Sequence, residues 1–281
     1  MKLKFSLLLA CASMAISTAV GCTDEPETPN RTPTGYPEGP KTMVDPAASA
    51  ITRTLYENLF VLAERGTMFG RQIPTLYGLD NNQKWYAGER TDLSDTKYLT
   101  GSHPAVCGWE LSNLEFGLDA NIDGDVFDDV RKHIIAAFER GGINTLSWHC
   151  ANPVTDGNAW DVTRAVYTII PGGANHEKFK GWLDRIADFI GSLKSSDGEL
   201  IPVIFRPWHE HSGSGFWWGK GNASADEFIA LWQFTITYLR DVKGLHNIIW
   251  AYSPDMIHIN SRDAYLEYWP GDEWVDILGL D

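Results

Sequence analysis

IPVIFRPWHEHSGSGFWWGKGN, residues 201–222, opens on an apolar run of Ile201, Val203, Ile204 and Phe205. That is the pattern of a strand buried on both faces, as parallel strands are. Arg206, Trp208 and Glu210 share one parity, so a strand continuing through them would point all three to the same side. A loop rich in Gly and Trp follows at once. A carboxylate at the C-terminal end of a buried parallel strand, beneath an aromatic loop, is where a (β/α)8 barrel keeps its chemistry.

Outward from this run, short buried segments alternate with helical ones. Residues 67–72, 104–111, 143–150, 247–255 and 274–281 read as further strands, six in all. A helix over 126–140 sets Val130, Ile134 and Phe138 on one face and ends at Gly141-Gly142. Another over 179–193 carries Trp182, Ile186, Phe189 and Leu193. Ser224-Ala225-Asp226-Glu227 is a capping box that opens a helix reaching Arg240. Asp45 and Pro46 suit the N-cap and first position of a helix in which Leu55, Leu59 and Leu62 recur up to Gly66. Strands separated by helices imply parallel pairing through right-handed crossovers. Both a barrel and a doubly wound sheet show this alternation. No Gly-rich phosphate loop joins a strand to a helix, which sets aside the dinucleotide-binding version.

The chain has 281 residues, 43% hydrophobic, enough for one large domain with a full core or for two small ones. A net charge of −14 argues against binding nucleic acid through its phosphates, whereas a neutral polysaccharide tolerates it. Twelve Trp and ten Tyr supply flat faces of the kind that stack on sugar rings, although most aromatics of any protein are core.

Residues 1–21 read as an export signal: Lys2 and Lys4, an apolar run over residues 5–10, then small residues. The segment is too short for a membrane span. Ala19-Val20-Gly21-Cys22 looks like a lipoprotein cleavage box, so Cys22 is expected to carry lipid and to anchor the protein at the cell envelope or surface. The acidic Thr23-Asp24-Glu25 resembles the surface-export signal of Bacteroidetes lipoproteins. Residues 22–45, rich in Pro, Thr, Gly and Glu, are expected to form a disordered linker, and the catalytic domain to occupy 46–281. Cys107 and Cys150 remain; they can pair or stay free.

Arg206-Pro207-Trp208-His209-Glu210, followed by Phe216-Trp217-Trp218-Gly219, resembles the acid/base signature of glycoside hydrolase family 26. The family commonly has a further Trp where this chain has Gly215. The resemblance implies a (β/α)8 barrel of which about six of eight βα units are present. It implies a retaining endo-acting enzyme on β-1,4-mannan, working as a monomer without a cofactor. Relatives cutting β-1,3/1,4-glucan or β-1,3-xylan offer a second substrate class. A non-catalytic glycan-binding lipoprotein is the alternative of another kind.

Retaining hydrolysis needs an acid and a nucleophile, two carboxyl groups roughly 5–5.5 Å apart. The resemblance makes Glu210 the acid/base and places the nucleophile, a Glu, at the end of a seventh strand beyond Asp281. Burial among Trp208, Trp217 and Trp218 is expected to raise the Glu210 pKa, because it disfavours the ionised form. Arg206 cannot lose its charge and needs a carboxylate partner, for which the nucleophile is the natural candidate. His209 stands beside the acid in a supporting role. Trp148-His149 matches the family's Ser-Trp-His motif at the end of the third strand, whose His lines the sugar site. Trp217 and Trp218 are expected to stack on sugar, one of them yielding to the core, and Asp281 to shape the catalytic centre. His209-Glu210-His211 puts its groups side by side, unlike the i, i+4 histidines of zinc helices, so no metal is expected.

Overall fold

A computed structural model of the protein describes residues 42–80 and 83–281. The proposed signal, the lipidation site Cys22 and most of the linker lie outside them. Chain order runs α1 (Ala50–Arg65), β1 (Gly70–Gln72), β2 (Tyr77–Asp80), β3 (Gln83–Tyr86), α2 (Asp95–Thr100), β4 (Val106–Glu110) and α3 (Phe127–Glu139). It continues β5 (Ile143–Ser147), α4 (Val166–Ile169), α5 (His176–Gly191), β6 (Val203–Arg206), α6 (Ala225–Thr237), β7 (Ile248–Tyr252), α7 (Arg262–Leu266) and β8 (Ile277–Leu278).

Six strands form one parallel sheet in the order β1-β4-β5-β6-β7-β8. The order follows the sequence without reversal, whereas a doubly wound sheet turns back at a switch point. This is the strand sequence of a barrel wall. It is not closed, and β1 and β8 stand at its two edges.

The apolar patterning works on both faces, because alternate residues of each strand enter different layers. Ile143, Ile204, Ile249 and Ala251 lie on one face, packed with Tyr56 of α1. Cys107, Trp109, Leu146, Val203, Phe205 and Trp250 enter the other layer, with Ile134 of α3, Ile186 of α5 and Trp232 of α6. The capping box forms: Ser224 N donates to Glu227 Oε2 at 2.8 Å and Glu227 N to Ser224 Oγ at 3.2 Å.

Several boundaries differ from the sequence reading. The cap of α1 is Ser49, whose hydroxyl accepts from Thr52 N, and not Asp45. Asp45 is buried and bonds His246 Nδ1 at 2.8 Å, while Val44 N donates to Asp276 Oδ1 at 2.8 Å. The end of the supposed linker therefore belongs to the folded domain. The first strand begins at Gly70, later than residue 67. The hairpin β2–β3 was not anticipated; the Asp95 carboxylate holds it by accepting from Leu79 N at 3.0 Å and Trp85 Nε1 at 3.2 Å. Cys107 and Cys150 are buried free thiols. Among the described residues no helix is long and apolar enough to cross a membrane.

Candidate active site

Strand register assembles the site. Glu110 of β4 pairs with Ser147 of β5, which pairs with Arg206 of β6, so three polar residues form a row at the C-terminal ends of adjacent strands. Register partners in a parallel sheet project to the same face. Here that face also carries Ile143, Ile204 and Ile249 deeper in the sheet.

The chain leaves β6 abruptly after Arg206. Trp208 and Glu210 take left-handed backbone angles, φ 56° and 53°, which cost energy for residues bearing a Cβ and concentrate at functional sites. The shared parity of Arg206, Trp208 and Glu210 is thereby lost. Trp208 turns fully into the core, its Nε1 donating to Thr235 Oγ1 of α6 at 3.2 Å. Glu210 stays half-buried, its amide donating to Ser253 O at 2.8 Å.

Burial raises the Glu210 pKa, the nearby Asp281 and Asp255 carboxylates raise it further, and His149 and Arg206 oppose them. Its carboxyl makes no hydrogen bond among the described residues and is free to meet a ligand. The charge neighbours thus add to the effect anticipated from burial. Arg206 is paired: its Nη1 meets Asp281 Oδ2 and donates to Ser253 Oγ at 3.2 Å. Ser253 Oγ in turn donates to Asp281 Oδ2 at 2.9 Å. Among the described residues, the carboxylate meeting Arg206 is Asp281.

Glu110, which the sequence reading passed over, is the most heavily bonded acid of the site. Its Oε1 accepts from Ser112 N and His149 N, each at 2.8 Å. Its Oε2 accepts from Ser147 Oγ at 2.7 Å and His149 Nδ1 at 2.9 Å. Burial opposes its ionisation, but these donors and the His149 charge overcome that and hold its pKa below the usual value. Glu115 lies nearby, accepting from Trp148 Nε1 at 3.0 Å and Ala151 N at 2.7 Å. The placement that singled out Glu210, an acid ending a buried strand, also describes Glu110.

His149 and His209 meet at the centre, Nε2 to Nε2 at 3.2 Å. His209 is buried, its carbonyl accepting from Trp218 Nε1 at 2.9 Å. The aromatic wall differs from expectation. Trp148, Trp217 and Trp218 are all fully buried, so they support the site from beneath and present no face to a sugar. Trp217 Nε1 donates to Cys150 O at 2.9 Å, which locks the loop after β6 to the end of β5. The available face is Trp160, 50% exposed and stacked on His149 with ring centroids 5.1 Å apart. Phe216 lies against both, at 5.6 Å from Trp160 and 5.4 Å from His149. Gly215 faces open space, whereas Gly219 packs so closely that a Cβ there would lie 2.2 Å from Gly213 O.

No group of three or more His, Cys, Asp or Glu among the described residues is placed to hold a metal ion. A half-buried acid with a raised pKa, a partly exposed Arg–Asp pair, imidazoles and an open aromatic face describe a site for acid-assisted cleavage of a polar substrate with flat apolar faces. That is the equipment of a glycoside hydrolase.

The chain belongs to glycosyl hydrolase family 26, whose sequence model matches residues 44–281. A mannan endo-1,4-beta-mannosidase of Bifidobacterium adolescentis is 39% identical over 244 residues, 84% of this chain and 23% of that protein. One from Bacillus subtilis is 29% identical over 255 residues, 85% of this chain and 65% of that protein. The chain thus spans less than two thirds of either relative. Among solved structures, the GH26 beta-mannanase of Bacteroides ovatus superposes with a TM-score of 0.77 at 43% identity, covering 82% of this chain and 65% of that one. The Bacillus sp. JAMB-750 GH26 endo-beta-1,4-mannanase domain gives 0.78 at 38% identity, over 85% of this chain and 63% of that one. These neighbours are (β/α)8 barrels, and the six-stranded wall described here is the corresponding part of that fold.

Proposed function

We propose that this protein hydrolyses β-1,4-mannan internally with retention of anomeric configuration, with Glu210 as the acid/base. The observation that carries the reading is Glu210 itself, half-buried in the turn that follows the central strand β6, with its pKa raised by burial and by Asp281 and Asp255. A carboxyl with a raised pKa keeps its proton to higher pH, so it can protonate the departing glycosidic oxygen and then, ionised, take a proton from water. Membership of family 26 and relatives named mannan endo-1,4-beta-mannosidase support the substrate. The nucleophile is assigned to a Glu on a seventh strand following Asp281. Trp160 offers the sugar its stacking face, with His149 and His209 beside it.

Sugar release from mannan, lichenan and β-1,3-xylan by the whole protein tests this. Reducing ends from mannan support it. Release from lichenan or xylan alone moves the substrate class, and binding without release leaves a glycan-binding protein.

The protein is further proposed to be exported and anchored at the cell envelope through lipid on Cys22, on the strength of the residues around the cleavage box. A Cys22→Ser change should release it from the membrane fraction; retention there would refute the anchor.

A further inference from the structure

We propose that Glu110 is a positioning residue that keeps His149 as an imidazolium, whose Nε2–H is donated to His209 Nε2 and so fixes His209 as the neutral Nδ1–H tautomer. The proposal deepens the hydrolase reading, on which its catalytic consequence rests.

Hydrogen-bond accounting carries it. Glu110 is 3% exposed, and its two oxygens meet four donors, the backbone amides of Ser112 and His149, Ser147 Oγ and His149 Nδ1. An ionised carboxylate satisfies all four, and only as acceptor, so His149 Nδ1 carries a proton. The remaining question is which ring supplies the single proton between the two Nε2 atoms, 3.2 Å apart. Two neutral rings would allow His209 to donate, and two charged rings would set N–H against N–H.

The surroundings decide for His149. It keeps an edge to solvent and faces Glu110 on β4, with the charges of Glu210 and Asp123 acting on it as well. Burial alone would lower its pKa, but Glu110, then Glu210 and Asp123, raise it above the ordinary value. His209 is sealed by Phe216, Trp218 and the edge of His149, with Arg206 and His211 adding to the cost of a positive charge and Glu110 relieving part of it. Burial is the largest cause, and its pKa falls to about 3. His209 therefore accepts at Nε2. Its proton sits on Nδ1, a buried atom with no hydrogen-bond partner among the described residues.

The consequence is a fixed positive charge within the acid/base site, held by a residue that touches no substrate. It moderates the rise in the Glu210 pKa and gives His149 an Nε2–H donor that a neutral ring, fixed by Glu110 as the Nδ1–H tautomer, lacks.

Histidine 15N NMR on the chain of residues 1–281 tests this without substrate, with signals assigned from His149→Gln and His209→Gln. Both His149 nitrogens should be protonated at neutral pH, with a midpoint above 6.5, the ordinary value. His209 should show an unprotonated Nε2 and a protonated Nδ1 down to the lowest pH at which the fold survives. Glu110→Gln should drop the His149 midpoint below 6.5 and leave His209 as a tautomer mixture. Glu110→Asp should restore the midpoint in part. A neutral His149 at pH 7, or a protonated His209 Nε2, in the unmodified chain overturns the proposal whether or not the variants fold. In the active enzyme Glu110→Gln should lower kcat/KM roughly 10- to 100-fold, the loss typical of a charged hydrogen bond. It should also move the basic limb of the pH–rate profile upward. An unmoved limb contradicts the proposal, whereas absence of mannan hydrolysis alongside the expected spectra would fault only the functional reading.

Discussion

The amide of Glu210 donates to the carbonyl of Ser253 at 2.8 Å, tying the turn that carries the acid to the end of the neighbouring strand. Ser253 Oγ also bonds Asp281 and Arg206, so one residue joins the backbone of the acid to the ion pair that sets its field. The positive φ of Glu210 is held by this contact.

The charge around the acid predicts a pH effect. Asp281 raises the Glu210 pKa and Arg206 lowers it. Asp281→Asn removes the first influence and leaves the Arg206 charge unpaired, so both changes favour ionised Glu210. The basic limb of the pH–rate profile should move to lower pH. A limb that stays or rises would show that Asp281 does not govern the acid.

Burial separates two kinds of tryptophan. Trp160→Ala should raise KM by roughly 2- to 10-fold, the scale of one lost ring contact, with little change in thermal midpoint. Trp217→Ala removes a fully buried ring and should cost about 3–5 kcal/mol of stability. Chemical denaturation alongside steady-state kinetics distinguishes them; equal stability losses would contradict the assigned exposure.

The loop over the site depends on backbone contact. Gly219→Ala should destabilise strongly, because its Cβ would sit 2.2 Å from Gly213 O. Gly215→Ala meets open space and should change stability by less than about 0.5 kcal/mol. Urea midpoints for the pair provide the check.

Asp276 predicts a stability profile. Burial, with a smaller contribution from Asp45, lifts its pKa from 3.8 to about 6, although Trp250 N and Val44 N both donate to it. A carboxyl raised in the folded state contributes stability that is present below 3.8 and lost as pH rises through about 6. The difference in unfolding free energy between the unmodified protein and Asp276→Asn should therefore favour Asp more at pH 4 than at pH 7, by about 2 kcal/mol. An unchanged difference across that window would place Asp276 in solvent.

Much of the wall was legible in the sequence because parallel strands announce themselves as short apolar runs. Residues 143–150 and 247–255 frame the observed β5 and β7, and the Ser224 capping box marks the start of α6 to the residue, although α6 ends at Thr237 and not Arg240. The hairpin β2–β3 escaped because one carboxylate, Asp95, supports it from outside its own segment. Glu210 stands out in the sequence by its strand and motif, but its orientation does not. Two positive φ angles turn Trp208 and Glu210 away from strand alternation, and no periodicity encodes them. Likewise, Trp217 and Trp218 look alike in sequence to Trp160, and only packing reveals which ring faces solvent.

The central claim is that Glu210 is the acid/base of a retaining β-1,4-mannan hydrolase. Its most direct test follows product anomers by 1H NMR as the whole protein acts on β-1,4-mannan, with Glu210 intact and with Glu210→Gln. The account predicts β-configured reducing ends as the first product and a rate at least about 100-fold lower in the variant. First release of the α-anomer, or a Glu210→Gln rate near that of the unmodified protein, would contradict it.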